Sequence, residues 1–559
     1  VRTIVAAIAV LLAAETAAPA QSNTFPVHIQ VNAAQTIGPL HSIWRFFGAD
    51  EPNYAYMANG KKLIGELGRL RGEDRTVFFR AHNLLTSGDG TPALKWGSTG
   101  AYREDADGQP IYNWAIVDRI FDTYRRNGVR PYVEIGFVPK ELSTAPANVP
   151  YQHDWNPNQK YKQIFTGWTY PPKDYAKWGE LVYQWVKHDV EKYGADEVNS
   201  WYWETWNEAN IPYWHGTAEE FFKLHDYAVD AVRRALPTAK VGGPDMAGSG
   251  EFLTRFLEHC VRGTNFATGK IGTPTDFISF HAKGAPTFVD GHVRMGIRNQ
   301  LQTMDDAFRR IAAFPELKDK PIVIGESDPD GCAACLDPQY GYRNGALYAS
   351  YTAATFGREQ ELSDLRGVNL EGALTWAFEF EDQPLFAGYR VLATGGIDLP
   401  VLNTFRMFNK MSGQRVVTES DSTMPLETIL QKGVRGGPDV SAFATLDANK
   451  LCVLVWHYQD DDLPGPDAEV TLNLTGLPSA AANARVHFYR VDNDHGNPFG
   501  VWEKMGSPPH PTPSQYAELQ AAGQLAEWGP PQNLSVKNGN GAVVFPLPQQ
   551  AVCLVTLDW

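Results

Sequence analysis

Between residues 43 and 378 the chain alternates short apolar, aromatic-rich runs with longer stretches of helical periodicity, and it does so eight times. The strand-like runs are 43–48 (IWRFFG), 77–83 (VFFRAHN), 131–138 (PYVEIGFV), 200–205 (SWYWET), 240–243 (KVGG), 276–281 (DFISFH), 321–326 (PIVIGE) and 372–378 (GALTWAF). Between them, 114–127 places Val117, Ile120, Phe121 and Tyr124 on one helical face, and Gly128 supplies the stop. The stretch 174–193 behaves alike and ends at Gly194, and Thr217 with Glu220 forms a capping box at the head of another helix. Strand–helix alternation of this regularity predicts a parallel sheet with helices outside it. Eight repeats favour closure, so the expected fold is α/β, a (β/α)8 TIM barrel over residues 43–410.

The pattern changes after about Phe408. Gly, Pro, Asn and Asp then separate short β runs such as 451–458 (LCVLVWHY), 469–474 (EVTLNL), 485–491 (RVHFYRV) and 552–557 (VCLVTL). That spacing predicts a C-terminal β-sandwich over 411–559. The segment 21–42 carries an early strand near Val27 and Val31 that is a candidate to join it.

Barrel enzymes place reactive groups at the carboxyl ends of strands. The fourth predicted strand leads into Asn207-Glu208, and the seventh ends in Glu326, three βα units later. Two carboxylates so placed face each other across the barrel mouth. Glycosidic bond cleavage uses such a pair, one protonated to donate to the leaving oxygen and one ionised to attack the anomeric carbon. Glu208 stands among Trp203, Trp206 and Trp214, an apolar setting that favours the uncharged acid. Glu326 is left as the nucleophile, and Asn207 is suited to hold a sugar hydroxyl.

These motifs carry a resemblance to a known family. Segment 203–210 (WETWNEAN) is similar to the acid/base motif of glycoside hydrolase family 39, and 322–326 (IVIGE) to its nucleophile strand. Segments 80–85 (RAHNLL) and 131–139 (PYVEIGFVP) and the pair Phe280-His281 resemble its second, third and sixth strands, and residues 505–515 resemble the tail of its bacterial β-xylosidases. The resemblance implies a retaining enzyme with Glu208 as acid/base and Glu326 as nucleophile. It implies sugar-binding roles for His82, Asn207, His281, Trp376 and Glu381, with Glu379 as an alternative to Glu381. Glu134 is read as a supporting ion-pair residue. No metal or cofactor is required by this chemistry.

Departures from the xylosidase pattern bear on the substrate. Ala209 stands where the family usually has Pro. Segments 325–329 (GESDP), 263–266 (GTNF) and 281–285 (HAKGA) look more like the α-L-iduronidase branch, which implies that Lys283, and Arg390 with it, faces an acidic sugar. The leading expectation is an exo-acting β-xylosidase with companion α-L-arabinosidase activity on plant-type oligosaccharides. The alternatives are an α-L-arabinofuranosidase acting on gum arabinogalactan, an iduronidase-like uronic-acid glycosidase and, from another class, a carbohydrate-binding protein on an inactive barrel.

Composition narrows the partners. A net charge of −15 sets the chain against nucleic acid and anionic membranes, and aromatics at 12% suit sugar faces as well as a large core. The sequence leaves a homo-oligomer open. Arg2, the apolar run 3–14 and Ala18-Pro19-Ala20 read as a signal peptide over residues 1–20, so a secreted or periplasmic protein with no membrane contact after cleavage is expected. Among five cysteines, Cys332 and Cys335 have CxxC spacing, which fits either a local disulfide or two free thiols.

Overall fold

The computed structural model describes residues 24–70, 76–152 and 166–559; the predicted signal peptide lies outside them. Eight parallel strands close into a barrel: β2 (Phe46–Ala49), β3 (Val77–Ala81), β4 (Val129–Ile135), β5 (Tyr202–Thr205), β6 (Lys240–Met246), β7 (Phe277–Lys283), β8 (Ile322–Asp328) and β9 (Leu370–Thr375). Each pairs with its neighbours in sequence, and β9 closes on β2 through Leu374–Phe46 and Thr375–Phe47. All eight strand-like runs of the sequence are barrel strands. Their ends differ, because pairing rather than composition sets where a strand stops. Residues 240–243, for example, extend through Pro244 and Asp245 to Met246.

Helices cover the outside: α1 (Ala58–Arg69), α2 (Ala115–Arg126), α3 (Tyr175–Tyr193), α4 (Ala218–Ala235), α5 (Glu251–Arg262), α6 (Ile297–Ala312), α7 (Ala346–Arg366) and α8 (Pro400–Asn409). Val117, Ile120, Phe121 and Tyr124 are the buried face of α2. The Thr217–Glu220 capping box is formed at α4. The barrel interior is filled largely by rings: Phe46, Phe78, Tyr132, Tyr202 and Phe277 pack with Val323, Leu374 and Trp376 in one buried cluster. Side chains this large make the lumen a packed core, which leaves chemistry to the mouth.

A second sheet has nine strands. They are β1 (Thr24–Pro39), β10 (Gln414–Ser420), β11 (Asp439–Asp447), β12 (Lys450–Tyr458), β13 (Asp467–Thr475), β14 (Asn483–Val491), β15 (Gln532–Ser535), β16 (Gly541–Leu547) and β17 (Val552–Asp558). Their order across the sheet is β15-β14-β17-β12-β11-β10-β1-β13-β16. Strand β1 runs antiparallel to β10 and parallel to β13. The sheet folds around its own core, with Val27, Ile29, Val31, Val470, Leu472 and Val555 among the buried residues. Among the described residues no helix is long and apolar enough to cross a membrane.

The two parts are joined by a buried polar contact. Arg358 on α7 donates to Asp439 Oδ1 (2.7 Å) at the start of β11, and Trp456 Nε1 on β12 donates to Asp439 Oδ2 (2.9 Å). Asp439→Ala would take from the buried Arg358 one of its two carboxylate partners, leaving Glu361 (2.6 Å), and would leave Trp456 Nε1 without its acceptor. Losing a buried hydrogen bond to a charged group costs about 1.5–3 kcal/mol, so thermal unfolding of D439A is expected at a lower temperature than wild type.

Candidate active site

Polar side chains from six of the eight strands converge at the carboxyl end of the barrel. Arg80 lies on β3, with His82 just past its end. Glu134 comes from β4, Glu204 from β5, Asp245 from β6, His281 and Lys283 from β7, and Glu326 and Asp328 from β8. Asn207 and Glu208 follow β5, and Trp376 follows β9. The backbone bends sharply to present them. Trp206, Glu208 and Asp245 have φ of 72°, 49° and 48°, and Asn83 has 63°. Left-handed conformations in such residues cost on the order of 1–3 kcal/mol each and cluster at functional sites. The Glu208 turn is held by its own N–H, which donates to the Asp245 carbonyl (2.8 Å).

Arg80 is the hub. Its Nε donates to Glu204 (2.7 Å), and its Nη2 meets Glu134 (2.9 Å), Asp245 and the Asn207 side-chain oxygen (3.2 Å). Its Nη1 lies 3.8 Å from Glu326 Oε1. Because Arg80 takes Oδ1 of Asn207, the amide of that side chain is fixed with its donor end left for another partner. Trp376 forms the floor, with the Arg80 guanidinium 5.0 Å above one ring and the His82 imidazole 4.3 Å from it. Gly48 on β2 makes room for this indole, since a Cβ there would overlap the ring.

His281 links the two predicted catalytic carboxylates. Its Nδ1 is 2.8 Å from Glu208 Oε1 and 3.7 Å from Glu326 Oε1, and its Nε2 is 2.7 Å from Asp245 Oδ2. Two oxygens so close to one nitrogen are separated by at most the sum of those distances. That limit only reaches the shortest spacing of inverting enzymes (roughly 6.5–9.5 Å) and takes in the shorter retaining one.

The environment sorts the acids. Burial pushes Glu134 up to about 8, with Asp245 and Glu326 adding and Arg80 opposing. Burial likewise carries Glu204 to about 8, helped by Asp245. Burial also works against charge on Glu326, but His281, Lys283 and Arg80 outweigh it and hold that carboxyl well below the ordinary range. Asp245 is held low in the same way, by Arg80 and His281 against burial. Burial takes His82 down to about 3, leaving a neutral ring whose Nδ1 sits 2.5 Å from Glu134. Burial disfavours charge on His281 too, yet Asp245 and Glu326 overcome it and raise it to about 10. His281 is therefore an imidazolium at neutral pH and donates from both nitrogens.

His82, Asn207, Glu208, His281, Lys283, Glu326 and Trp376 thus meet at one place. Lys283 is ion-paired there with Glu326 and with Asp328 Oδ2 (2.6 Å). The Glu381 carboxylate accepts from Gly60 N (2.8 Å) and Asn59 Nδ2 (3.1 Å) and caps the first turn of α1. The alternative, Glu379, accepts from Gly396 N (2.8 Å). Arg390 lies behind Asp328, with its Nη2 3.6 Å from Asp328 Oδ2. It is buried, and its donors go to Asp330 and to the Trp376 carbonyl. Asp330 also anchors Arg343, whose donors gather the Cys332 and Cys335 carbonyls (2.6 and 2.7 Å). Cys332 and Cys335 are joined in a disulfide.

Sequence reasoning missed Asp245 and Asp328, and took Arg80 only as part of a motif. Asp245 follows Gly243-Pro244, which reads as a turn, so nothing local marks it as the end of a strand.

The family model described as glycosyl hydrolases family 39 matches residues 27–531. The chain belongs to that family. Family 39 is a family of retaining glycoside hydrolases, so this enzyme acts on a carbohydrate. It is 28% identical to a β-xylosidase of Geobacillus stearothermophilus over 83% of this chain and 84% of that one. It is 27% identical to the α-L-iduronidase of Mus musculus over 91% of this chain and 77% of that one. Among solved structures, a monomeric β-xylosidase from Caulobacter crescentus superposes with a TM-score of 0.72 at 20% identity, covering 95% and 99% of the two chains. A bacterial orthologue of human α-L-iduronidase gives 0.75 at 19% identity, covering 95% and 84%. At those identities the structural likeness concerns the fold alone.

Asp245→Asn removes one of the two charges that raise His281. The ring is then expected to lose its proton at a lower pH than the wild-type value of about 10, read from imidazole NMR signals. The sign for stability follows. A value raised from an ordinary ~6.5 stabilises the fold fully below that pH and ceases to do so as pH climbs through the folded value. In D245N the loss of stability on the alkaline side is expected to begin earlier.

Proposed function

We propose that this family 39 enzyme is an exo-acting β-xylosidase that releases terminal pentose from plant-type oligosaccharides, with α-L-arabinosidase activity alongside. The observation that carries the choice of a neutral sugar is Lys283. Its charge is taken by Glu326 and Asp328, and Arg390 is buried against Asp330. Neither is left to meet a sugar carboxylate, although the local sequence around Lys283 resembles that of iduronidases.

In the proposed reaction, ionised Glu326 attacks the anomeric carbon while Glu208 gives its proton to the leaving oxygen. The glycosidic bond breaks and a glycosyl ester of Glu326 forms. Glu208 then takes a proton from water, whose oxygen bonds to the anomeric carbon and releases Glu326. His281 supports both carboxylates from one imidazolium, and Lys283 and Arg80 keep Glu326 charged until it reacts. Asn207, oriented by Arg80, supplies a donor to a sugar hydroxyl beside the reacting carbon.

Nitrophenyl glycosides test this reading. Wild type is expected to hydrolyse the β-xyloside and the α-L-arabinopyranoside. Hydrolysis of only the α-L-arabinofuranoside or the α-L-iduronide would keep the chemistry and replace the sugar. Glu326→Ala is expected to lower turnover by on the order of a thousandfold or more while the protein still unfolds cooperatively. Azide should restore product formation in E326A as a glycosyl azide of inverted configuration. Undiminished turnover in E326A would remove it from the nucleophile's role.

A further inference from the structure

Helices α2 and α3 stand outside the barrel and carry a group the glycosidase chemistry does not use. Asp189 on α3 is fully buried, and neither of its carboxylate oxygens has a hydrogen-bond partner. A buried carboxylate left so is among the costlier arrangements in a fold, and something must neutralise it. Burial, with Asp118 adding and Lys192 opposing, pushes its carboxyl well above the ordinary range.

Two further donors stand beside it. Ligand atoms of Asp118 on α2, and of His188 and Asp189 on α3, all lie within 4.8 Å of one another. His188 Nε2 is 2.8 Å from Asp118 Oδ1, and Lys192 Nζ is 2.9 Å from Asp118 Oδ2 and 3.5 Å from Asp122. The Trp114 ring stacks on the His188 imidazole (5.7 Å, 23°) and fixes its plane. The side chains of Asp118 and His188 are 21% and 26% exposed, so the cluster has a buried wall, Asp189, and a side open to water.

We propose that Asp118, His188 and Asp189 form a binding site for one divalent first-row cation such as Zn2+, bridging α2 and α3. One imidazole nitrogen and two carboxylates, with water on the open side, make the mixed nitrogen–oxygen set that zinc accepts in tetrahedral geometry. The imidazole disfavours Ca2+ and Mg2+, which prefer oxygen throughout. The ion would supply the positive charge that Asp189 lacks. Lys192 would keep Asp122 as its partner.

The test uses the whole enzyme, freed of metal by chelation, and zinc chloride as the probe. Calorimetric titration is expected to show one equivalent bound per chain and a raised melting temperature, since a ligand of the native state stabilises it. Magnesium chloride at the same concentration should do neither. Asp189→Asn and His188→Gln should each lose the bound equivalent and the zinc-dependent rise in melting temperature. Should D189N fail to fold, H188Q, altered at a partly exposed ring, decides alone. Absence of stoichiometric zinc binding, or equal binding by wild type and the folded variants, would overturn the proposal and leave a proton as the counter-charge of Asp189.

Discussion

A guanidinium with no access to water sits at the carboxyl end of the barrel, and the site is arranged around it. Arg80 touches acids from β4, β5 and β6 and points its remaining nitrogen at Glu326 on β8. Four carboxylates cannot all be charged around one cation, so the low-dielectric setting divides them. Glu134 and Glu204 keep their protons near neutrality, while Asp245 and Glu326 stay ionised. Asp245 then holds His281 as an imidazolium, and that ring reaches Glu208 and Glu326 together. The placement of the two carboxylates is therefore a consequence of charge balance beneath them as much as of strand geometry.

Beneath that layer the barrel gives up its interior to aromatic rings. Trp376 belongs to both levels, closing the packed lumen below and flooring the polar mouth above. Rigid rings under a buried ion network limit how far any of these groups can move, which suits a reaction that needs preset dipoles more than mobility. Behind β8, Ser327 Oγ lies 2.6 Å from Glu359 Oε1 and 2.8 Å from the side-chain amide of Gln300, contacts that brace the strand carrying Glu326 from the helix side.

Much of this was legible in the sequence, because the barrel repeats its pattern and each strand is long enough to show it. Asn207-Glu208 and Glu326 announced themselves by residue type at strand ends. His82, His281, Lys283 and Trp376 were found through neighbouring motif residues. Asp245 was hidden because a Gly-Gly-Pro run looks like a turn when the pairing with β5 and β7 is unknown. Glu381 shows the opposite case. It follows the last barrel strand, where a sugar-binding acid is expected, but the N-terminus of α1, more than three hundred residues earlier in the chain, captures it. Lys283 shows the same limit: its motif was visible, but the partners that take its charge come from β8. Local pattern reports what a residue is and where its strand ends, not which distant group reaches it first.

The second sheet has a bearing on how the chain assembles. Strand β1 lies inside it, with Ile29 opposite Ser420 on one side and Val27 opposite Val470 on the other. Contacts so remote in sequence carry a large loop-closure entropy and form late. On a growing chain β1 emerges before the barrel and has no partner in this sheet until the whole barrel has been made. The sheet is thus a clasp: it can fasten only when residues beyond the barrel arrive, and fastening it ties Thr24–Pro39 to Gln414–Ser420 and Asp467–Thr475, on the far side of the catalytic barrel in sequence.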